Sequence, residues 1–119
     1  MRRVIIESPY TGDAETHKTY ARRCIRDSLQ RGETPIASHL LFTQHGILDD
    51  NIIEEREWGI NAIHSWIEVA DAVIFYTDYG VGKGMASALE RSIQEKRTRS
   101  SMGQNSLDME ERTIGSNPV

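Results

Sequence analysis

The sequence is poor in the residues that mark special environments. Its 119 residues include one cysteine, Cys24, and three prolines. A single thiol excludes an intrachain disulfide framework and a thiolate zinc site, and it fits a reducing compartment. His17, His39, His45 and His64 have no HExxH or comparable spacing, so no metal site and no cofactor are expected. No apolar run approaches the roughly 20 residues of a membrane-spanning helix, and Met1-Arg2-Arg3 leads into too few apolar residues for a signal sequence. The expected location is the cytoplasm, with no membrane partner. Positive charge is also short: 14 Lys and Arg stand against 18 Asp and Glu, a formal net charge of −4. No basic stripe with interleaved aromatics is present, which argues against a nucleic-acid partner.

What is present is unevenly distributed. Residues 95–119 contain five hydrophobic residues (Met102, Leu107, Met109, Ile114, Val119) and none of the aromatics. Such a stretch buries too little apolar surface to offset the entropy of ordering its backbone, so it is expected as a flexible polar tail after a structured domain at 1–94. The tail is charge-neutral, with Lys96, Arg97, Arg99 and Arg112 against Glu95, Asp108, Glu110 and Glu111, so the whole net charge of −4 belongs to the domain.

Arg3-Val4-Ile5-Ile6-Glu7 is a β-branched run halted by Ser8-Pro9, and it predicts a first strand. Thr11-Gly12-Asp13 supplies a turn and N-cap for a helix near 14–31, whose apolar positions (Tyr20, Ala21, Cys24, Ile25, Leu29) recur at helical spacing until Arg31-Gly32. Thr34-Pro35-Ile36-Ala37 reads as a short strand and Ser38 as the cap of a helical turn. Asp49-Asp50 are expected to cap a long helix with Ile53, Ile60, Ile63, Ile67 and Ala70 on its apolar stripe. Glu54, Glu55 and Glu57 read as its solvated face, and Trp58 and Trp66 as a partly exposed packing face or subunit interface. Ala72-Val73-Ile74-Phe75-Tyr76-Thr77 is an unbroken apolar run of strand length, the pattern of a strand covered on both faces. A last helix starts near Met85. The β-α-β-α-β-α order predicts a three-layer α/β fold, flavodoxin-like or Rossmann-like, with a parallel sheet and ligands at the carboxyl ends of the strands.

Two loops lie at those ends. In the second, Asp78-Tyr79-Gly80-Val81-Gly82-Lys83-Gly84-Met85, the glycines allow close backbone approach and present N–H groups at a helix N-terminus, an anion-binding geometry with Lys83 beside it. It is neither a Walker loop, since Gly84 follows Lys83, nor GxGxxG, since Met85 stands at the third glycine; a plain strand-to-helix turn is the alternative. In the first loop, Ser8, Tyr10 and Gly12 form a second candidate wall, where Tyr10 either meets a ligand ring or sugar or packs the first helix onto the sheet. His39 follows the second strand at the same sheet edge, within reach of a substrate hydroxyl or base. The candidate binding residues are thus Ser8, Tyr10, Gly12, His39, Asp78, Gly80, Gly82, Lys83, Gly84 and Met85.

Val4-Ile5-Ile6-Glu7-Ser8-Pro9-Tyr10, then Pro35 with His39-Leu40-Leu41, Trp66-Ile67 with Ala70-Asp71-Ala72-Val73, and Gly82-Lys83-Gly84-Met85 occur in an order that resembles the nucleoside 2-deoxyribosyltransferase-like superfamily, especially its small uncharacterised phage and bacterial members. The resemblance covers about residues 3–94. It implies a homo-oligomer whose neighbour helps complete the site, and a pocket for a nucleoside or its phosphate. In catalytic members a carboxylate attacks the anomeric carbon to form a glycosyl-enzyme. The nucleophilic Glu implied four residues after the last loop glycine is Ala88 here. Two further implied polar positions are Gly82 and Ile63. Asp78 is a possible substitute carboxylate, and Glu90 lies on another helix face. The reading is a nucleotide-binding module without catalysis that sequesters a nucleotide or ribose-containing signal. The alternative is an enzyme of the N-glycoside hydrolase or 2-deoxyribosyltransferase type whose nucleophile has been removed.

Overall fold

The computed structural model describes residues 1–9 and 14–115. The expected turn and cap at Thr11-Gly12-Asp13, together with Tyr10, lie outside the described residues. The elements run β1 (Arg3–Glu7), α1 (Ala14–Gln30), β2 (Thr34–Ile36), α2 (Ser38–Leu41), α3 (Ile53–Ile67), β3 (Ala72–Tyr76), α4 (Lys83–Ser101) and β4 (Asp108–Arg112). They build a parallel sheet of four strands in the order β2-β1-β3-β4. In register, Val4, Ile5, Ile6 and Glu7 of β1 stand beside Ala72, Val73, Ile74 and Phe75 of β3.

Both middle strands are covered on two faces, which is why their sequences are continuously apolar. On one face Val4, Ile6, Ala72, Ile74 and Tyr76 pack with Tyr20 and Cys24 of α1. On the other, Ile5, Val73 and Phe75 pack with Ile63 and Ile67 of α3 and Met85 and Ala88 of α4. The result is the expected three-layer α/β architecture. From β1 the chain turns to β2 through α1, and from β3 it turns to β4 through α4 on the opposite face. The switch in direction between β1 and β3 opens a crevice beyond their carboxyl ends.

Three local expectations are corrected. Ser38 lies inside α2, with Ala37 at the N-cap, and α3 starts after Ile52 rather than on an Asp cap; neither N-cap residue makes a side-chain capping bond. Ile53 and Ile60 are 75% and 42% exposed, so only Ile63 and Ile67 carry the buried stripe of α3. Trp58 and Trp66 are both exposed on the same helix.

The largest difference concerns residues 95–119. The expected boundary at 94 falls inside α4, and the stretch expected as a flexible tail contains the end of that helix and a sheet strand. Arg99 is buried and donates from Nη2 to the Ile67 carbonyl at 2.7 Å, which ties α4 to the end of α3. Leu107 is fully buried, and β4 pairs with β3 along its whole length. Charge neutralisation joins Leu107 and the backbone ladder in holding this strand. Arg112 donates to both carboxylate oxygens of Glu33 at 2.8 and 3.0 Å, and Arg2 pairs with Glu33 and Glu110. The hydrogen bonds from Arg112 hold the Glu33 carboxyl below its usual range, against the opposing effect of burial.

Removing the guanidinium would strand the Glu33 carboxylate, whose side chain is only 7% exposed. Arg112→Ala should therefore lower unfolding stability by about 2 kcal/mol at pH 7 in urea titration, with Arg2 still in place as a partial partner. Because the Glu33 carboxyl is lowered, this contribution is present at neutral pH and should vanish as acid protonates it.

Candidate functional site

A cleft of about 380 Å³ opens at the crevice between β1 and β3. Its floor is the end of β1 (Glu7, Ser8, Pro9), and one wall is the start of α4 from Gly82 to Ala88. The opposite wall comes from α2, α3 and the segment between them, including Phe42, Leu48, Arg56, Ile63 and His64.

The glycine-rich loop divides into two halves. Its second half serves the cleft. Gly82 is the N-cap of α4 and the first helical bond closes from the Ala86 N–H to the Gly82 carbonyl at 3.0 Å. The N–H groups of Lys83, Gly84 and Met85 are thus unused within the helix. A Cβ built at Gly82 or Gly84 would meet nothing within 4 Å, and neither glycine has a positive φ. Packing does not demand glycine there; its effect is to leave the backbone uncovered at the cleft. Met85 is 1% exposed and its side chain belongs to the core.

The first half of the loop turns the other way. Asp78 accepts hydrogen bonds from the Tyr20 hydroxyl and from the N–H groups of Ile114 and Gly115 at 2.9–3.1 Å. Burial works against its charge, but these bonds hold its carboxyl below the usual range. Tyr79 packs edge-on against Tyr20 at 4.7 Å, and Gly80, with φ of 84°, makes the turn. Asp78 and Gly80 do not line the cleft. Asp78 anchors the chain after β4. Glu90 is exposed on α4 and is not in the cleft wall either.

Ser8 and His39 do meet. The Ser8 hydroxyl and His39 Nε2 share a hydrogen bond of 3.0 Å, joining the end of β1 to α2. Burial, assisted by the nearby His17, pushes the His39 imidazole down to about 4, so it is neutral at pH 7. Ala88 is buried and forms part of the wall, as does Ile63. Tyr10 and Gly12 lie outside the described residues. Cys24 is buried under α1, where burial pushes its thiol up to about 12, and it does not reach the cleft. Among the described residues no cluster of His, Cys, Asp and Glu fits a metal ion, and no helix is long and apolar enough to cross a membrane.

Sequence reasoning missed Glu7. It alternates with Ile5 onto the face covered by α3 and α4, is 9% exposed, and lines the cleft. No hydrogen bond or ion pair reaches its carboxyl among the described residues, and burial pushes it up to about 8. One signal was available: a lone acid closes a strand that is otherwise apolar on both faces.

A carboxyl raised in the folded state favours the fold most below its ordinary range and opposes it progressively as pH rises toward 8. Glu7→Gln should therefore match the parent in stability near pH 4 and exceed it by ~3 kcal/mol at pH 7, from 1.36 kcal/mol per pKa unit. Urea unfolding at the two pH values measures this, and a pH-independent difference would contradict the raised carboxyl.

Comparison with known proteins adds fold and family. A solved 2-deoxyribosyltransferase from the psychrotolerant bacterium Bacillus psychrosaccharolyticus shares the fold at a TM-score of 0.56 and 15% identity, over 97% of this chain and 76% of that one. No curated protein matches. A family profile matches residues 2–101, which takes in the cleft and all of α4, and the chain therefore belongs to the family described as "Domain of unknown function (DUF7768)".

Proposed function

We propose that the chain binds a nucleoside 5′-phosphate in the cleft between β1 and β3 and does not break its glycosidic bond. The observation that carries this reading is the convergence, in one crevice at the switch point, of a helix N-terminus with unused N–H groups and a largely apolar chamber. The N–H groups of Lys83 and Gly84, with the Lys83 side chain beside them, form the wall suited to a phosphate, and Arg56 stands on the opposite wall of the same cleft. Phe42, Leu48, Ile60 and Ile63 give the other end walls suited to the faces of a ring. The net charge of −4 repels anions at long range, so capture depends on this local concentration of donors.

The absence of turnover rests on Ala88. The resemblance puts the nucleophile of catalytic relatives at this position, and a methyl group forms no glycosyl-enzyme. Holding the ligand, as a sequestering module would, is what remains. The second reading, a glycosidase or deoxyribosyltransferase that has lost its nucleophile, is favoured by one observation: Ala88 is buried and faces the cleft, where a longer side chain would project into it.

The test is a thermal-shift and calorimetric panel of ribo- and deoxyribonucleoside 5′-monophosphates, their nucleosides and ribose 5-phosphate. A ligand at a hundred times its dissociation constant should add about 2.7 kcal/mol to unfolding stability, seen as a rise in Tm of several degrees. Lys83→Ala should weaken phosphorylated ligands several-fold and leave nucleosides unaffected. Flat melting curves across the panel refute binding. Ala88→Glu separates the readings, because free base released by that folded variant supports the enzyme ancestry, and its absence supports a site built for binding.

A further inference from the structure

Three features compete for a function not yet assigned: the exposed Trp58 and Trp66 on α3, the buried polar layer around Glu33 and Arg112, and the solitary carboxyl of Glu7. Nothing in the structure shows what covers the tryptophans, and the polar layer is fully used in holding β4. Glu7 is different. A carboxyl group in a largely apolar setting, with no protein hydrogen bond among the described residues, is left to find its partner on its one open side, the cleft.

We infer that Glu7 is the base-recognition group of the cleft, its carboxyl both donating a hydrogen bond to, and accepting one from, the edge of a nucleobase that offers an adjacent acceptor and donor. This rests on the nucleotide reading above and extends it to the base of the ligand. The argument is one of matching. The side chain stands on the sheet face shared with Ile5 and Phe75 and lines a cleft whose walls include Phe42 and Ile63. An ionised carboxylate suits two donors, such as the hydroxyls of a sugar diol. In this apolar setting the proton is retained at pH 7, because burial pushes the group up to about 8. A neutral acid carries one donor and one acceptor on a single carbon, which complements the amino and ring-nitrogen edge of adenine or cytosine. Lys83, Arg56, His64 and Asp50 line the same cleft with neutral His39, but burial alone accounts for the raised Glu7 carboxyl, and Ala88 presents no second carboxylate on the facing helix.

The arrangement makes base binding depend on a proton that phosphate binding does not need. Calorimetry with adenosine and cytidine 5′-monophosphates and ribose 5-phosphate, between pH 7 and 9.5, reads this directly, since neither base titrates in that range. The parent's affinity for the nucleotides should fall about tenfold per pH unit above 8, until it meets that of ribose 5-phosphate, which should stay level. Glu7→Gln retains a donor and an acceptor but cannot titrate, so its affinity should be the same at both ends of the range. Glu7→Leu should bind the nucleotides no better than ribose 5-phosphate. Glu90→Gln, on the exposed side of α4, should keep the parent's slope. A level nucleotide profile in the parent overturns the inference, as does an unchanged slope in Glu7→Gln. Should ribose 5-phosphate bind and the nucleotides bind no tighter, Glu7 is not the recognition group and the phosphate site stands. Should none of the three bind the parent, the nucleotide reading fails and this inference fails with it.

Discussion

Two strands with no exposed face decide where everything else in this protein can be. Because β1 and β3 are covered by α1 on one side and by α3 and α4 on the other, their side chains meet water only at the strand ends. The connections from the two strands leave in opposite directions at that point, so the helices diverge and a cleft forms where the sheet stops. Glu7 is the last residue of β1 and lies at this border. One residue earlier it would be sealed in the core, and one residue later it would belong to the loop. Its burial is a consequence of strand length.

The fold was largely legible because its signal is apolar and local. Val4 to Ile6 and Ala72 to Tyr76 are unbroken runs, and such runs declare two-sided burial without reference to any partner. The helix around Tyr20 and Cys24 is declared by spacing in the same way. β4 escaped because most of what holds it is not local. Asp108-Met109-Glu110-Glu111-Arg112 has the composition of a solvated segment, and as an edge strand it needs only one buried anchor beside it, Leu107. The partners that hold it, Glu33 and Arg2, are 79 and 108 residues away for their respective hydrogen bonds with Arg112 and Glu110. Composition along a window does not contain a pairing across that distance. An entropy argument that counts only apolar surface will therefore label such a strand as a tail.

The site was legible to the degree that backbone chemistry carries it. A glycine-rich stretch after a buried strand foretells uncovered backbone at a helix start, and Gly82 to Gly84 line the cleft there. Side-chain roles were harder to read, because orientation depends on neighbours the sequence does not name. Asp78 and Lys83 are five residues apart in one loop and serve opposite faces of the sheet, the first bound to Tyr20 and the chain after β4, the second on the cleft. Ser8 and His39 come together because β1 and β2 are neighbours in the sheet.

Glu7 and Ala88 are best understood as one arrangement. Two carboxyl groups in one apolar chamber would repel when both are ionised, so one would take a proton while the other held the charge, and the pair would titrate in two coupled steps. A chamber of that kind is suited to covalent chemistry on a sugar, with one group as nucleophile and the other as acid. With alanine at 88, Glu7 has no anionic neighbour on the facing helix, and desolvation alone sets its state. It is then a weak nucleophile at neutral pH and a competent hydrogen-bond donor, which is the property a recognition group needs and a covalent catalyst does not.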